Sequence, residues 1–145
     1  MSIARLRPPT DADAPAIAEL LHQLGHPPAD DSDIPRRIAL IVADPDAEIW
    51  MAELDGRVVG FATALMVGAI HMDGPVAQLT SLVVDDGVRG RGIGRQLVAE
   101  AERWARARGS VRISLTSAVH RVAAHAFYER IGYAKTGVRL AKDLA

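Results

Sequence analysis

Alternating hydrophobic and polar positions predict that strands and helices follow one another along the chain. A first strand is predicted over residues 3–7, where charged and apolar residues alternate until a pair of prolines. Thr10 and Asp13 have the spacing of a capping box, so a helix is predicted to begin between residues 10 and 15. Its apolar face comprises Ile17, Leu20, Leu21 and Leu24, and Gly25 ends it.

A second helix and a hairpin are predicted in the next part of the chain. After a loop over residues 26–33, the apolar spacing predicts a helix over residues 34–43. Asp55-Gly56 is a tight hairpin signal between two runs of strand-forming residues, 48–54 and 57–67. The residues of the second helix that are predicted to face the core are Ile38, Ile41 and Val42.

The most regular pattern lies in the second half of the chain. Residues 68–75 either extend the preceding strand or form a loop, and residues 76–84 are predicted to form a further strand. A segment rich in glycine and arginine, residues 89–95, leads into the longest predicted helix, which Gly109 ends. The apolar face of this helix comprises Ile93, Leu97, Val98, Ala101, Trp104 and Ala105.

The remaining residues predict a strand, a helix and a last strand. Residues 111–115 are predicted to form a buried strand, and residues 133–140 a final strand or hairpin. Between them a helix places Ala123, Ala124, Phe127 and Ile131 inward and ends at Gly132. Because a hairpin comes first and strand–helix–strand units follow, we expect an α/β or α+β domain with three layers. A length of 145 residues fits a single domain over residues 1–145.

Composition narrows the class of function. Lys and Arg number 17 and Asp and Glu 18, so the net charge of −1 gives no general attraction to nucleic acid or to an anionic membrane. The absence of cysteine excludes a disulfide scaffold, a zinc–thiolate site and a cysteine nucleophile. No apolar run reaches the roughly 18 residues of a membrane span, and residues 1–9 hold no signal-peptide core. We therefore expect a soluble cytoplasmic protein.

The segment from Arg89 to Gly94 has the properties of an anion-binding turn. It joins a strand to the long helix, and its glycines let the backbone adopt a positive φ and approach a ligand closely. The start of the helix adds roughly half a positive charge, and the N–H groups there converge on one point. Such turns most often hold phosphate or pyrophosphate. Arg89, Arg91 and Arg95 add further positive charge.

Three phosphate-binding patterns can be compared with this segment. A P-loop requires Gly-Lys followed by Ser or Thr, which the chain lacks. The dinucleotide fingerprint Gly-x-Gly-x-x-Gly fails, because its sixth position is Arg95 or Leu97 in the two possible registers. The pattern that fits is Gln/Arg-x-x-Gly-x-Gly/Ala, read as Arg89, Gly92 and Gly94.

Two flanking segments complete a family pattern. Residues 78–84, QLTSLVV, precede the turn, and residues 124–133, AHAFYERIGY, follow it in the arrangement Ala-x-x-Phe-Tyr-x-x-x-Gly-Phe/Tyr. With the turn between them, these segments resemble the GNAT superfamily of acyl-CoA-dependent N-acetyltransferases. In that family the strand pairs with the pantetheine arm of acetyl-CoA and the turn binds its pyrophosphate. The resemblance covers nearly the whole chain, and its sharpest part is residues 76–134.

The resemblance implies a fold, a reaction and a set of site residues. The fold is a GNAT-like three-layer domain with a mixed central sheet of six to seven strands, flanked by about four helices. The reaction is transfer of the acetyl group of acetyl-CoA, the co-substrate, to a primary amine of a small molecule or protein in a ternary complex, without a metal. A homodimer through the C-terminal strands is also implied. The residues implied to bind the coenzyme are Leu82, Val83, Val84, Arg89, Gly90, Arg91, Gly92, Ile93, Gly94, Arg95, Arg121 and Ala124.

The chemistry requires an acid, a base and a donor to the acyl oxygen. The resemblance implies that Tyr128 is the general acid that protonates the departing thiolate. We predict that the backbone N–H of Val83 donates to the oxyanion. Some relatives carry a glutamate where this chain has Gln78, which cannot ionise, and Arg121 stands where many carry asparagine. No base stands out among the remaining candidates, which are Glu48, Glu53, His71 and Asp73.

Two other functions could use the same turn. One is a non-catalytic acyl-CoA-binding sensor or interaction module, which keeps the segment from Arg89 to Gly94 and needs no Tyr128. The other is a nucleotide-binding protein that holds ATP through the turn. Release of CoA in the presence of an amine separates an acetyltransferase from the sensor, and calorimetry with acetyl-CoA and with ATP decides the nucleotide-binding alternative.

Overall fold

The strands and helices follow the predicted order in the computed structural model, which describes residues 3–26 and 33–145. The predicted loop over residues 26–33 lies largely outside the described residues. Two short 3-10 turns, Asp11–Asp13 and Asp86–Val88, precede α1 and α3. The elements are β1 (Arg5–Arg7), α1 (Ala14–Gln23), α2 (Asp33–Val42), β2 (Ala47–Leu54), β3 (Arg57–Val67), β4 (Val76–Val84), α3 (Ile93–Ala107), β5 (Arg112–Leu115) and α4 (Val122–Arg130).

The chain forms two compact units, Met1–Ser114 and Leu115–Ala145. The first holds α1 to α3, the strands β1 to β4 and most of β5, and the second holds α4. A single domain over residues 1–145 stays a prediction.

Within the described residues, one mixed sheet of five strands, in the order β1-β2-β3-β4-β5, forms the framework of the fold. β1, β2, β3 and β4 pair antiparallel with their neighbours. The prediction of six to seven strands was therefore wrong. The strand predicted over residues 133–140 is absent, because the side chains of Val138 and Leu140 are 88% and 91% exposed and no pairing is formed there. A homodimer stays a prediction, and the C-terminal strands that were expected to form its interface are absent.

One face of the sheet packs against α1 and α2. Residues that pair across antiparallel strands point to the same face, and the pairs Ile49–Thr63 and Phe61–Val83 belong to this one. The buried side chains of the cluster on this face are Ala14, Ile17, Leu20, Ile34, Ile38, Ile49, Met51, Phe61 and Val83. Val42 was predicted to face inward but is 63% exposed, and Ile34, at the start of α2, is buried instead.

The other face packs against α3, which has 15 residues and contacts β2, β3 and β4. The predicted apolar face of α3 is confirmed, since Ile93, Leu97, Val98, Ala101 and Ala105 are all buried. Trp104 is half-buried and meets Trp50 edge to face, with ring centroids 5.6 Å apart. Among the described residues no helix combines the length and the apolar character needed to cross a bilayer.

A buried ion pair anchors the N-terminal strand. The Arg7 guanidinium donates two hydrogen bonds of 2.8 Å to the Asp13 carboxylate and a third, from Nε at 2.6 Å, to Glu53 on β2. Asp13 is 4% exposed and also accepts from the Thr10 N–H at 2.8 Å, as the capping-box spacing predicts. The hydrogen bonds from Arg7 hold the pKa of Asp13 below its ordinary value, although burial opposes them.

Candidate functional site

The turn between β4 and α3 is shaped by an aspartate and by two glycines. The Asp85 carboxylate accepts a hydrogen bond from the Gly87 N–H at 3.0 Å, which caps the short 3-10 turn after β4. Gly90 and Gly92 have φ angles of +82° and +81°, a left-handed backbone that other residues adopt only with strain. The sequence-predicted need for glycine is confirmed at these two positions.

This turn leaves open space beside the start of α3. A Cβ built on Gly90 or Gly92 would meet no atom within 4 Å. The first helical hydrogen bond runs from the Gln96 N–H to the Gly92 carbonyl, 3.0 Å. The N–H groups of the three residues between them therefore precede the helical ladder and lie at the positive end of the helix dipole. A diphosphate fits the donors and the open space of this turn.

The arginines of the turn differ in their contacts. Arg89 forms an ion pair with Asp86, 2.7 Å apart, in which both side chains are more than half exposed. Arg91 and Arg95 are exposed. Ile93 is 2% exposed, so its side chain belongs to the core and only its backbone is placed to serve a ligand.

A hydrogen-bond network around Asp85 ties this turn to two other elements. The Arg57 guanidinium, on β3, donates to Asp85 at 3.0 Å. Gln23, the last residue of α1, donates to Asp85 at 3.4 Å and accepts from the Asp86 N–H at 2.9 Å. The pKa of Asp85 is lowered mainly by the Gly87 N–H, with Gln23 and Arg57 adding to the effect. This network was not predicted from the sequence, although Asp-x-Gly is itself a turn signal.

The end of β4 orients its backbone N–H groups in a fixed alternation. Leu82, Val83 and Val84 pair with Ala62, Phe61 and Gly60 of β3. The Asp85 N–H donates to the Val59 carbonyl at 2.8 Å, and the Val83 carbonyl lies 2.7 Å from where a Cβ on Gly60 would stand. Because N–H groups alternate between the two edges of a strand, the Val83 N–H faces β3, whereas those of Leu82 and Val84 face away from it.

The remaining predicted site residues lie in the second unit, on or next to α4. Arg121 directly precedes the helix, Ala124 lies in its first turn and Tyr128 near its end. The Tyr128 ring is half-buried and packs edge to face on Phe127 and Tyr133, with centroids 5.2 and 5.9 Å away. Burial raises the pKa of the Tyr128 phenol, and the positive charge of Arg121 partly opposes this. Ala123 was predicted to face inward but is exposed.

The candidate bases differ in their contacts and in their exposure. Glu53 forms an ion pair with Arg7, as described above, so its carboxylate stabilises the fold and is not exposed at the hairpin. Gln78, His71 and Asp73 are exposed, and Glu48 is half-buried. No group of three or more His, Asp or Glu side chains arranged to hold a metal occurs within residues 3–26 and 33–145.

Comparison with known proteins identifies relatives along nearly the whole chain. Residues 14–133 match the model of the acetyltransferase (GNAT) family. The chain is 31% identical to an aminoalkylphosphonate N-acetyltransferase from Salmonella typhimurium over 144 residues, which cover 99% of this chain and 94% of the relative. It is 33% identical to an aminoglycoside N(6')-acetyltransferase type 1 from Stenotrophomonas maltophilia, over 93% of this chain and 89% of the relative.

The fold is also found in solved structures. An aminoglycoside N-acetyltransferase in complex with CoA superposes with a TM-score of 0.82, covering all of this chain and 97% of that one at 22% identity. At this identity the similarity concerns the fold, which is the mixed α+β arrangement described above.

Proposed function

Because the chain belongs to the GNAT family of acetyltransferases, we propose that it transfers the acetyl group of acetyl-CoA to the primary amine of a small molecule. N-acetylation of an amine is the activity named for the two relatives that this chain matches over most of their own length. The small-molecule acceptor is supported by the names of those two relatives, which refer to an aminoalkylphosphonate and an aminoglycoside. We also propose that residues 1–145 act as one catalytic domain, since the family match extends from residue 14 to residue 133.

The observation that carries this proposal is the glycine turn before α3. Its left-handed Gly90 and Gly92 and the open space beside them suit the diphosphate of acetyl-CoA. In the proposed complex the backbone from Arg89 to Arg95 binds the diphosphate, and the side chains of Arg89, Arg91 and Arg95 add positive charge. The end of β4 pairs with the pantetheine arm, and the family resemblance also implies coenzyme contacts for Arg121 and Ala124.

The acyl oxygen needs a hydrogen-bond donor as negative charge develops on it. Since the N–H of Val83 faces β3, we assign this role to the N–H of Leu82 instead, with that of Val84 as the neighbouring donor on the same edge. Both N–H groups face the edge of β4 opposite β3, and we propose that the pantetheine arm runs along this edge.

Tyr128 is the proposed general acid. A thiolate leaving group needs a proton, and a tyrosine phenol carries one at neutral pH whether or not burial raises its pKa. The Tyr128 side chain is fixed by two aromatic neighbours, which limits the rotamers that the hydroxyl can sample.

No strong base is needed for the amine. Deprotonating an alkylamine with a pKa of about 10.4 at neutral pH costs roughly 4.6 kcal/mol. Holding both substrates in one ternary complex can supply roughly 7–11 kcal/mol. Water or a weak base therefore suffices, which fits a chain that carries Gln78 where some relatives carry a glutamate.

The proposal is tested by measuring the release of CoA with a thiol reagent. The acceptors are an aminoalkylphosphonate, an aminoglycoside, a lysine peptide and no amine. We expect CoA release above the amine-free rate with a small-molecule amine. Binding of acetyl-CoA without release by any acceptor, or tighter binding of ATP than of acetyl-CoA, would contradict the proposal.

A pair of charge-matched variants tests the turn separately. Arg89→Gln removes a positive charge from the turn, whereas Arg103→Gln removes one from the exposed surface of α3. We expect Arg89→Gln to weaken acetyl-CoA binding about fivefold, the size of one partly exposed charge-assisted hydrogen bond. Arg103→Gln should leave the affinity unchanged in the same calorimetric titration.

A further inference from the structure

Two threonine side chains meet across β3 and β4. The Oγ1 atoms of Thr63 and Thr80 are 2.6 Å apart, so one hydroxyl donates to the other. Thr63 is 7% exposed, whereas Thr80 is exposed. The pairing places Ala64 opposite Leu79 but Thr63 opposite Ser81. Thr80 is therefore the extra residue of a β-bulge in β4.

This bulge decides which N–H groups of β4 face β3. Phe61 pairs with Val83 because the bulge advances β4 by one residue. If the ladder continued from Ala64–Leu79 without it, Phe61 would face Leu82, and every later side chain and N–H of β4 would change sides. The N–H of Leu82 is thus turned away from β3 by an irregularity that lies two residues earlier in the strand.

The hydroxyl pair is placed to hold the bulge in this form. The extra residue of a bulge has no partner in the regular ladder, so the side-chain contact of Thr80 is a direct link between it and β3. Thr63 lies on the face of the sheet that also carries Ile49 and Phe61, and a buried hydroxyl there costs free energy unless it is hydrogen-bonded. Thr80 supplies its partner, and the contact joins the two strands at the point where the ladder is interrupted.

We infer that Thr63 is a positioning residue for acyl transfer, because its contact with Thr80 maintains the bulge that turns the N–H of Leu82 away from β3 and toward the acyl group. This inference rests on the proposed function. It assigns to a buried residue of β3, which touches neither substrate, an effect on the reaction that is distinct from its effect on folding.

The test compares Thr63→Val, which removes the hydroxyl and keeps the shape, with Thr63→Ser, which keeps the hydroxyl. We expect Thr63→Val to lower kcat about tenfold, the value of one lost hydrogen bond, with a change in KM for acetyl-CoA of less than about twofold. Thr63→Ser should restore kcat to within about twofold of the wild type. Thr136→Val, at an exposed position outside the regular elements, is the control.

A second pair of measurements keeps the inference falsifiable. Thr80→Val should reproduce the loss in kcat, and the double variant should be no worse than either single one, since both remove the same contact. Should Thr63→Val fail to fold, Thr80→Val decides, because its side chain is exposed. Wild-type kcat in a folded Thr63→Val or Thr80→Val protein would overturn the inference, and so would a Thr63→Ser protein as impaired as Thr63→Val.

The ratio of affinities for acetyl-CoA and CoA separates this inference from the proposed function. It reports the contact with the acyl group and needs no acceptor. A wild-type protein that releases no CoA with any amine contradicts the proposed function, while a ratio that falls in Thr63→Val, by no more than the roughly twofold change expected for KM, still supports the positioning role. An active wild type whose ratio and kcat are unchanged in Thr63→Val contradicts the positioning role alone.

Discussion

The two compact units of the molecule differ in how much of their structure is buried. In Met1–Ser114 the side chains of Met51, Val59 and Leu97 are fully buried between the sheet and its helices. In Leu115–Ala145 no residue is buried. Even the least exposed positions of α4, such as Phe127 and Tyr128, are only half-buried. Burial of apolar surface is the main source of folding free energy, so the first unit holds most of the stability of the chain.

The two units also hold different parts of the proposed machinery: the first holds the glycine turn and β4, and the second holds Tyr128. The glycine turn lies between the buried residues Val88 and Ile93, and the bulge of β4 contacts the buried Thr63, which suits groups whose orientation must not change. The proposed acid, Tyr128, lies in a unit that few buried contacts stabilise, and such regions open at lower free-energy cost than a core. Substitutions in the two units should therefore change different measured quantities.

The largest effect is expected from the buried ion pair of the first unit. Arg7→Met leaves the Asp13 carboxylate buried without its partner, which should lower the free energy of unfolding by about 3 kcal/mol. Urea denaturation followed by circular dichroism measures this change. Arg36→Met is the matched control, because its ion pair with Asp33 is exposed and should contribute less than about 0.5 kcal/mol. Equal losses in the two variants would show that burial does not distinguish them.

The next largest effect is expected on catalysis, from the second unit. Tyr128→Phe removes the proton donor and should lower kcat roughly 10²-fold, with acetyl-CoA affinity near that of the wild type. The unfolding transition should move little, because the ring and its aromatic contacts are retained. Steady-state kinetics and calorimetry measure both quantities. Tyr133→Phe is the control for loss of a phenol, and unchanged turnover in Tyr128→Phe would remove this residue from the mechanism.

The smallest effect compares two glycines with the same kind of backbone. Gly92 and Gly132 have φ angles of +81° and +102°, and a Cβ on either meets no atom within 4 Å. Alanine at Gly92 should lower the free energy of global unfolding by about 1 kcal/mol, the cost of a left-handed alanine. Alanine at Gly132 should instead increase amide exchange in α4 and leave the main transition nearly unchanged. Equal shifts of the main transition would contradict the division of stability.

Much of the fold could be predicted from the spacing of apolar residues. The longest helix, the hairpin around Asp55-Gly56 and the strand over residues 76–84 agree with the structure, because a long amphipathic period or a turn signal identifies each one locally. The strand over residues 133–140 was wrong, since alternating residues form a strand only where a neighbouring strand supplies hydrogen bonds. The prediction that Val42 faces the core was wrong, because this residue lies at the end of α2 and its side chain is exposed.

Within the candidate site, the sequence predicted features that depend on neighbouring residues but not those that depend on the pairing of distant residues. The glycine pattern of the turn identified its backbone conformation, because a left-handed φ is a property of a single residue and its neighbours. The role of Val83 could not be judged in this way, since the direction of its N–H depends on a bulge three residues earlier and on the register with β3. The network around Asp85 was missed because Gln23 and Arg57 are distant in sequence.

Properties encoded within a few neighbouring residues were accessible before any coordinates: the order of the elements, the glycine turn and the family to which its pattern belongs. Register, bulges and the pairing of buried charges became known only with the folded chain, because they join residues such as Arg7 and Glu53, or Thr63 and Thr80, across separate elements. A hydrogen bond between distant residues depends on their positions in space, and a local pattern of residue types does not contain those positions.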